Sequence, residues 1–432
     1  MTSHRIKDVA RINRHTIPED TDPDYKFRYI DISAVDGSGD VSVPDNDTTF
    51  SSAPSRARRI APPGSILVST VRTYLRAIAT VPEHESDLVF STGFAILEAE
   101  QQVNSRFLGH YCLSQPFIDE VVSRSTGVSY PAINPSEIGN LPISLPAPDE
   151  QRRIADFLDA ETARINKLVA LREAQELNLN ERSYASLSEV LLPGILTSPS
   201  GFWPWTWLPR ATNDQPLVRL GYVCRLQNGL TVDGKRDVSG DVVTRPYLRV
   251  ANVQAGSVTL ETVTEITVPR ETANRSTLRP GDVLMTEGGD LDKLGRGAVW
   301  RGELPGCLHQ NHVFALRPEP DRLDGDYLAL MTRTLHGRCY FESTGTRTTN
   351  LASTNSSKIL SFPIPLPNIA DQHNLAQQAQ KTLDAIDAAS QSLRRQRHLL
   401  AERRQALITA AVTGQFDVST ASGRNVTDGV HP

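Results

Sequence analysis

The stretch LPISLPAPDEQRRIADFLD (141–159) has a near copy in FPIPLPNIADQHNLAQQAQ (362–380). Each holds a Pro-x-x-x-Pro run, then an acidic residue, a Gln and an apolar pattern of helical spacing. Gln151 and Gln372 are 221 positions apart, as are Asn134 and Asn355. Upstream, STG at 125–127 pairs with STG at 343–345, and RFLGHYCL (106–113) with DYLALMTR (326–333). PPGSILVST (62–70) pairs with RPGDVLMTE (279–287), YIDISAV (29–35) with YLRVANV (247–253), and RIKDVARI (5–12) with RLGYVCRL (219–226). The order is kept and the offset drifts by a few residues, as short loop insertions would produce. So many segments in register identify an internal duplication.

Composition bounds what such a repeat can do. A chain of 432 residues predicts two to four domains. A hydrophobic content of 39% with 22% charged residues suits soluble globular domains. No stretch approaches the ~20 apolar residues of a membrane span. The N-terminal MTSHRIKDVARINRH lacks the apolar core of a signal peptide, so a cytoplasmic location is expected. Cys112, Cys224, Cys307 and Cys339 form no CxxC and read as reduced, packed thiols. A net charge of −5 excludes a globally basic nucleic-acid binder, so any such role needs local basic patches or a partner.

Each half opens with short strand-like runs: FRYIDIS (27–33), GSILVST (64–70) and GFAILEA (93–99), then RPYLRVANV (245–253), GDVLMTE (281–287) and HVFALRP (312–318). One helix is expected through Phe107, Tyr111, Phe117 and Val121, with a counterpart through Tyr327 and Leu335. Past the Pro run, about 149–192 and 371–412 are free of Pro and Gly and rich in helix formers. Ile386, Leu393, Leu400 and Leu407 recur every seven residues, a coiled-coil seam. Leu158, Ile165, Leu168 and Leu179 are the seam candidates of the first helix, with Arg172 interrupting. Two such helices in one chain are expected to bury their stripes by pairing, antiparallel, in preference to packing each on its own domain. The fold class is therefore α+β, two similar mixed α/β domains with two long antiparallel coiled-coil helices and a pseudo-two-fold internal repeat. The expected divisions are 1–146, 147–194 (first helix), 195–215 (connector), 216–367, 368–414 (second helix) and a disordered tail at 415–432.

This duplicated unit, with STGVSYPAIN, LPISLP, DEQRRIADFLD and LLPG in one half and STGTRTTNLASTN, FPIPLP, ADQHNLAQQAQ and LITAAVTGQFDV in the other, resembles the specificity subunits of type I restriction–modification enzymes. The resemblance spans about residues 5–414. It implies two target-recognition domains, each reading one half of a split double-stranded DNA sequence, with the helices as spacer and docking surface. It further implies two DNA adenine methyltransferase subunits that use S-adenosylmethionine, and restriction subunits that use ATP and Mg²⁺, with no cofactor in this chain. A helix of about 30 residues spans roughly 45 Å, comparable to the about 34–36 Å between half-sites one DNA turn apart.

Base readout needs Arg, Lys, Asn or Gln at base edges. In the first half Arg72, Thr73, Tyr74 and Arg76 follow a predicted strand, Arg56, Arg58 and Arg59 form a basic loop, and Ser129 and Tyr130 lie in the turn before the Pro run. In the second, Gln227 and Asn228 sit in a polar turn, EGGDLDKLGRG supplies Lys293 and Arg296, and Arg347, Thr348, Thr349 and Asn350 follow STG. Against this, surface Arg and Lys are usually just solvated, and the five arginines of RRQRHLLAERR (394–404) read as the solvated flank of a coil. Catalytic signatures are absent: there is no GxxxxGK[ST] loop and no NPPY-like motif, and DGSGD (36–40) reads as a turn. Cys307, His309 and His312 lack an evident fourth ligand, so no metal site is assigned. Asp24 and Lys26 in PDYK only superficially resemble part of a nuclease motif. A coiled-coil scaffold without a DNA role, or less favourably a nuclease, are the competing readings.

Overall fold

The computed structural model describes residues 2–197, 200–202, 205–209, 216–231, 240–289, 294–347 and 352–420. The chain divides into two compact units, Met1–Glu173 with Arg394–Pro432, and Ala174–Leu393. The boundary crosses both long helices, Pro148–Leu191 and Ile369–Val412, each of 44 residues or about 66 Å at 1.5 Å per residue.

The first unit is built on a four-stranded antiparallel sheet in the order Ala10–Ile12, Phe94–Ala99, Ile66–Ser69, Ile78–Thr80. Its central strands are apolar on both faces. Ile66, Val68, Ala95 and Leu97 join a core with the helices, whereas Leu67, Phe90, Phe94 and Ile96 form a second core on the other side. The two-residue period of a strand sends alternate side chains to the two cores. A further sheet holds Ala57–Ile60 antiparallel, and Lys26–Ile30 parallel, to Leu88–Ser91.

The second unit repeats this scheme. Its sheet runs Cys224–Asn228, Val313–Pro318, Val283–Thr286, Gly297–Val299, the same order strand for strand. Val283, Met285, Phe314 and Leu316 face the helices, and Leu284, Ala298, Val313 and Ala315 face away. Val242–Leu248 pairs in parallel with Leu308–His309, matching the parallel pair of the first unit.

Each unit shows the helices paired antiparallel. In the first, Ile154, Ala155, Leu158 and Ile165 of the first helix share a core with Leu407, Ile408, Ala411 and Val412 of the second. In the second unit, Leu187 and Leu191 share one with Ala376, Ala379 and Leu383. Burying one Leu-sized side chain stabilises by about 1.5–3 kcal/mol, so these stripes are large contributors. Arg397 also reaches Glu173 at 2.5 Å within the first unit.

The glutamines of the opening motif explain its recurrence. Gln151 is buried; its Oε1 accepts from the Asn104 amide at 2.9 Å and its Nε2 donates to the Pro146 carbonyl at 3.0 Å. Gln372 does the same with the Asp324 amide (2.9 Å) and the Pro367 carbonyl (2.8 Å), and also donates to the Arg322 carbonyl. Each Gln thus ties the start of a long helix to the cap of the short helix beside it. Asn104 and Asp324 are those caps, accepting from the Phe107 and Tyr327 amides. A second tie uses the far ends of the long helices. The Gln115 amide donates to the Thr409 hydroxyl at 3.0 Å, and the Leu335 amide to the Ser188 hydroxyl at 2.7 Å.

Several expectations are corrected. The single helix expected at 107–121 is two, Ser105–Cys112 and Gln115–Ser123, because Ser114 starts a new helix with Pro116 in its first turn. Thr334 divides Gly325–Arg333 from Leu335–Thr344 in the same way, its hydroxyl accepting from the Gly337 amide. The run YIDISAV leaves the sheet at Ile30 and turns through a 3₁₀ segment at Ile32–Ala34. Pro142–Leu145 and Pro363–Pro365 are edge strands, paired with Thr2–Arg5 and Leu217–Arg219, where a missing N–H is tolerated. Leu168 is 36% exposed and off the stripe; Thr162 and Val169 take the inward positions beside Leu158 and Ile165. Leu179, Arg172, Ile386, Leu393 and Leu400 are half-buried, and Leu407 is buried. The expected tail begins later than residue 415, since Phe416 packs on Phe157 with ring centroids 5.6 Å apart. Residues 421–432 lie outside the described set.

Candidate nucleic-acid interface

In the first unit a ladder of backbone hydrogen bonds gathers the sequence-predicted residues at one rim. The Thr92 amide donates to the Arg56 carbonyl (2.8 Å), and the Thr70 amide to the Gly93 carbonyl (2.8 Å). The Ile133 amide donates to the Thr70 carbonyl (2.9 Å), and the Arg72 amide to the Pro131 carbonyl (2.7 Å). The Thr126 and Ala132 amides and carbonyls close the STG turn. Arg56, Arg72, Tyr74, Arg76, Ser129 and Tyr130 are all exposed along this rim. Thr73 is buried and its hydroxyl bonds Ser125, so it shapes the turn rather than facing outward.

The rim is strained and charged. Arg72 (φ 51°) and Arg76 (φ 57°) flank a one-turn 3₁₀ segment, Thr73–Leu75, and both are left-handed. That conformation costs a non-glycine residue about 1–2 kcal/mol. Arg72 lies 4.9 Å from the centre of the Tyr130 ring, a cation–π pair. Several other arginines of this unit have a carboxylate: Arg5 has Asp8, Arg11 has Glu100, Arg28 has Asp47, Arg106 has Asp156 and Asp159, and Arg124 has Glu120. Among the described residues, Arg56, Arg58, Arg59, Arg72 and Arg76 have none. Arg14, which sequence reasoning passed over, shares that property beside the paired strands His15–Thr16 and Ala57–Ile60.

Arg58 and Arg59 do not form a loop as expected. They lie in the strand Ala57–Ile60 and are half-buried. Arg58 stacks over Phe50 at 5.1 Å, and burial pulls the Arg59 guanidinium below its ordinary value. A chain of net negative charge thus leaves positive charge uncompensated along one edge, a surface suited to a polyanion.

The corresponding edge of the second unit is built differently. Gly288–Gly289, the counterpart of Val71–Arg72, pairs with Ala352–Ser353, which pairs with Thr346–Arg347. Arg347 is exposed there; Lys293, Thr348, Thr349 and Asn350 lie outside the described residues. His312 pairs with Glu287 at 2.5 Å, in place of two threonines in the first unit. Arg296 is half-buried, with its guanidinium 3.4 Å from the Tyr184 hydroxyl of the first long helix.

Gln227 and Asn228 are in the strand Cys224–Asn228, not in a turn. Asn228 is exposed, but Gln227 belongs to an internal network. Its Nε2 donates to the Ser276 carbonyl at 2.8 Å and its Oε1 accepts from Arg317 at 3.5 Å. Arg317 grips Asp282, which is 1% exposed, with two bonds of 2.7 Å. His309 is fully buried beside them and its Nδ1 contacts the Val313 carbonyl at 2.7 Å; burial foremost lowers its pKa. His309 and Cys307 are thus core residues, and no group of three metal-ligating side chains occurs among the described residues.

The four cysteines form no disulfide, and burial pushes the thiols of Cys224 and Cys307 up to about 12. No described helix is long and apolar enough to cross a membrane.

Comparison with known proteins agrees with this geometry. Residues 1–179 match the family described as the type I restriction modification DNA specificity domain. The type I restriction enzyme EcoKI specificity subunit of Escherichia coli (strain K12) is 23% identical over 337 residues, covering 76% of this chain and 69% of that protein. A chain from a structure of type I R-M complex assembly and conformational transition superimposes with a TM-score of 0.74 at 23% identity, covering 96% of this chain and 98% of that one. The HsdS subunit of Thermoanaerobacter tengcongensis superimposes with a TM-score of 0.52, also at 23% identity, over 96% and 97% of the two chains. These likenesses extend the fold across nearly the whole chain.

Proposed function

We propose that this chain is a specificity subunit of a type I restriction–modification system and that each of its two units reads one half of a bipartite DNA target within such a complex. The observation that carries this reading is the rim of the first unit. Exposed arginines without carboxylate partners line an edge held in place by strained backbone and the Arg72–Tyr130 stack. Cations there fix the register on phosphates, and Arg side chains in the major groove pair with guanine. The duplicated architecture supplies a second reader, whose different edge gives a different half-site.

In this reading the chain performs no bond-making chemistry. Two adenine methyltransferase subunits carrying S-adenosylmethionine supply it, and two restriction subunits with ATP and Mg²⁺ complete the assembly in the cytoplasm. The long helices set the spacing between half-sites and carry the docking surface. A cavity of about 1030 Å³ in the first unit, lined by Ile165, Val169, Ala401, Arg404 and Phe416, flanks both helices and supports a docking role.

Selection of the co-purified complex against a random duplex pool tests the proposal. A split consensus is expected, with affinity that falls steeply as salt rises. Enrichment of no sequence, or cleavage of DNA by the isolated chain with Mg²⁺, contradicts it.

A further inference from the structure

The rim of the first unit carries more than charge. Between and beside its left-handed arginines, large apolar side chains project into water. Val128 is fully exposed, Tyr130 is 66% exposed, Tyr74 54% and Leu75 47%. They come from two segments locked together. The Arg72 amide donates to the Pro131 carbonyl, Thr73 bonds Ser125 at 2.8 Å, and the Arg72 guanidinium rests on the Tyr130 ring. Gly127 (φ 112°) permits the tight return, since a Cβ there would come within 3.0 Å of the Tyr130 carbonyl oxygen.

Isolated exposed apolar residues are ordinary, but a cluster on a rigid, strained turn marks a binding surface. The surrounding charge says which kind. Arg56, Arg72 and Arg76 have no carboxylate partner among the described residues, and both strained positions are arginines. A protein partner with an apolar patch would not by itself require uncompensated cations around the tip. A nucleic acid offers phosphates to the cations and base faces to the apolar side chains. Apolar side chains set among cations enter a base step, partly unstack it and bend the duplex.

We infer that Tyr74, Leu75, Val128 and Tyr130 form an apolar wedge that opens a base step in the half-site read by the first unit, with Arg72 and Arg76 holding the flanking phosphates. This rests on the DNA-reading function proposed above. The counterpart segment of the second unit, after Gly289, lies partly outside the described residues, so the wedge is assigned to the first unit alone.

The test uses the full chain with its co-purified methyltransferase subunits. The probe is the selected duplex with 2-aminopurine at purines, or pyrrolocytosine at cytosines, placed one position at a time. Besides the methylated adenines, which the methyltransferase extrudes itself, one step in a single half-site should brighten several-fold on binding. That signal should return to the free-duplex level in Tyr74→Ser/Leu75→Ser and in Val128→Ser/Tyr130→Ser. It should persist in Leu75→Met and Tyr130→Phe, which keep the apolar faces. All four positions are exposed, and unchanged thermal unfolding checks the fold. No brightening outside the methylated adenines, or brightening that survives the serine variants, overturns the wedge and leaves the split-site reading intact. Serine variants that lose the methyltransferase subunits in gel filtration make the tip a protein-docking surface and overturn it as well. Failure to select any split sequence removes the reading on which the wedge rests.

Discussion

The two units share a strand order and a pair of glutamine ties, yet differ wherever a side chain is free to vary. In the first unit Arg106 bridges Asp156 and Asp159, and His110 meets Asp159 at 2.7 Å. The His110 contact foremost, and then Arg106, hold the Asp159 carboxyl below its usual range against the opposing effect of burial. The second unit has Asp326, Leu330, Gln377 and Gln380 at those positions, and instead buries a polar network around Asp282. Its rim replaces the strained Arg72 turn with two glycines. Duplication has kept what joins each unit's sheet to the helices and released what faces outward.

These differences between the units imply unequal effects. The largest should follow Arg317→Ala, which leaves Asp282 buried without its cation and destabilises the second unit by about 3–5 kcal/mol. Amide exchange resolved by segment should show the loss there while the first unit keeps its protection. Next come Gln151→Ala and Gln372→Ala. Each strands a buried amide and carbonyl, at about 1–3 kcal/mol per unsatisfied group. The two effects should be confined to opposite units, and Gln372→Ala should cost the more because it also strands the Arg322 carbonyl. A larger loss in the Gln151 variant, read from denaturant midpoints, would contradict this account of the ties.

Arg72→Ala/Arg76→Ala should leave stability near wild type and change DNA binding instead. The salt dependence should weaken by about one unit of slope per lost phosphate contact, and the consensus should relax in one half only. Arg11→Ala, whose arginine is already paired with Glu100 at 2.5 Å, serves as the comparison and should change neither.

The smallest effect concerns pH. Burial lowers the pKa values of His309 and His336 in the second unit, so their unfolded forms bind protons more readily. Stability is therefore fully present above about pH 6.5 and declines as pH falls through the unfolded value toward the folded one. The second unit, which holds both of these buried histidines, should lose exchange protection first on mild acidification.

What the sequence displayed was whatever repeats or runs long. The helix ends were readable because Pro148 opens one helix and left-handed Gly194 and Gly414 follow the two ends. Gln151 and Gln372 stood out through their spacing, although their bonds to Asn104 and Asp324 join segments nearly fifty residues apart and needed coordinates. The break at Ser114 carried a second signal in Pro116, whereas that at Thr334 was signalled only by a hydroxyl residue that helices also accommodate in their interiors. Gln227 looked like a turn residue because its partners, Ser276 and Arg317, are distant in sequence. The unpaired state of Arg14 and Arg56 was invisible for the same reason, since pairing is a property of space. The left-handed backbone at Arg72 and Arg76 has no sequence marker, because such positions are usually glycine.

Methylome sequencing of the host, with and without this chain and with Arg72→Ala/Arg76→Ala, asks whether two tethered readers define one split target for partner methyltransferases. A bipartite adenine-methylated motif should be present with the wild type and vanish on deletion, and the double variant should alter only one of its halves. A motif that persists unchanged after deletion, or a double variant that alters both halves equally, would contradict it.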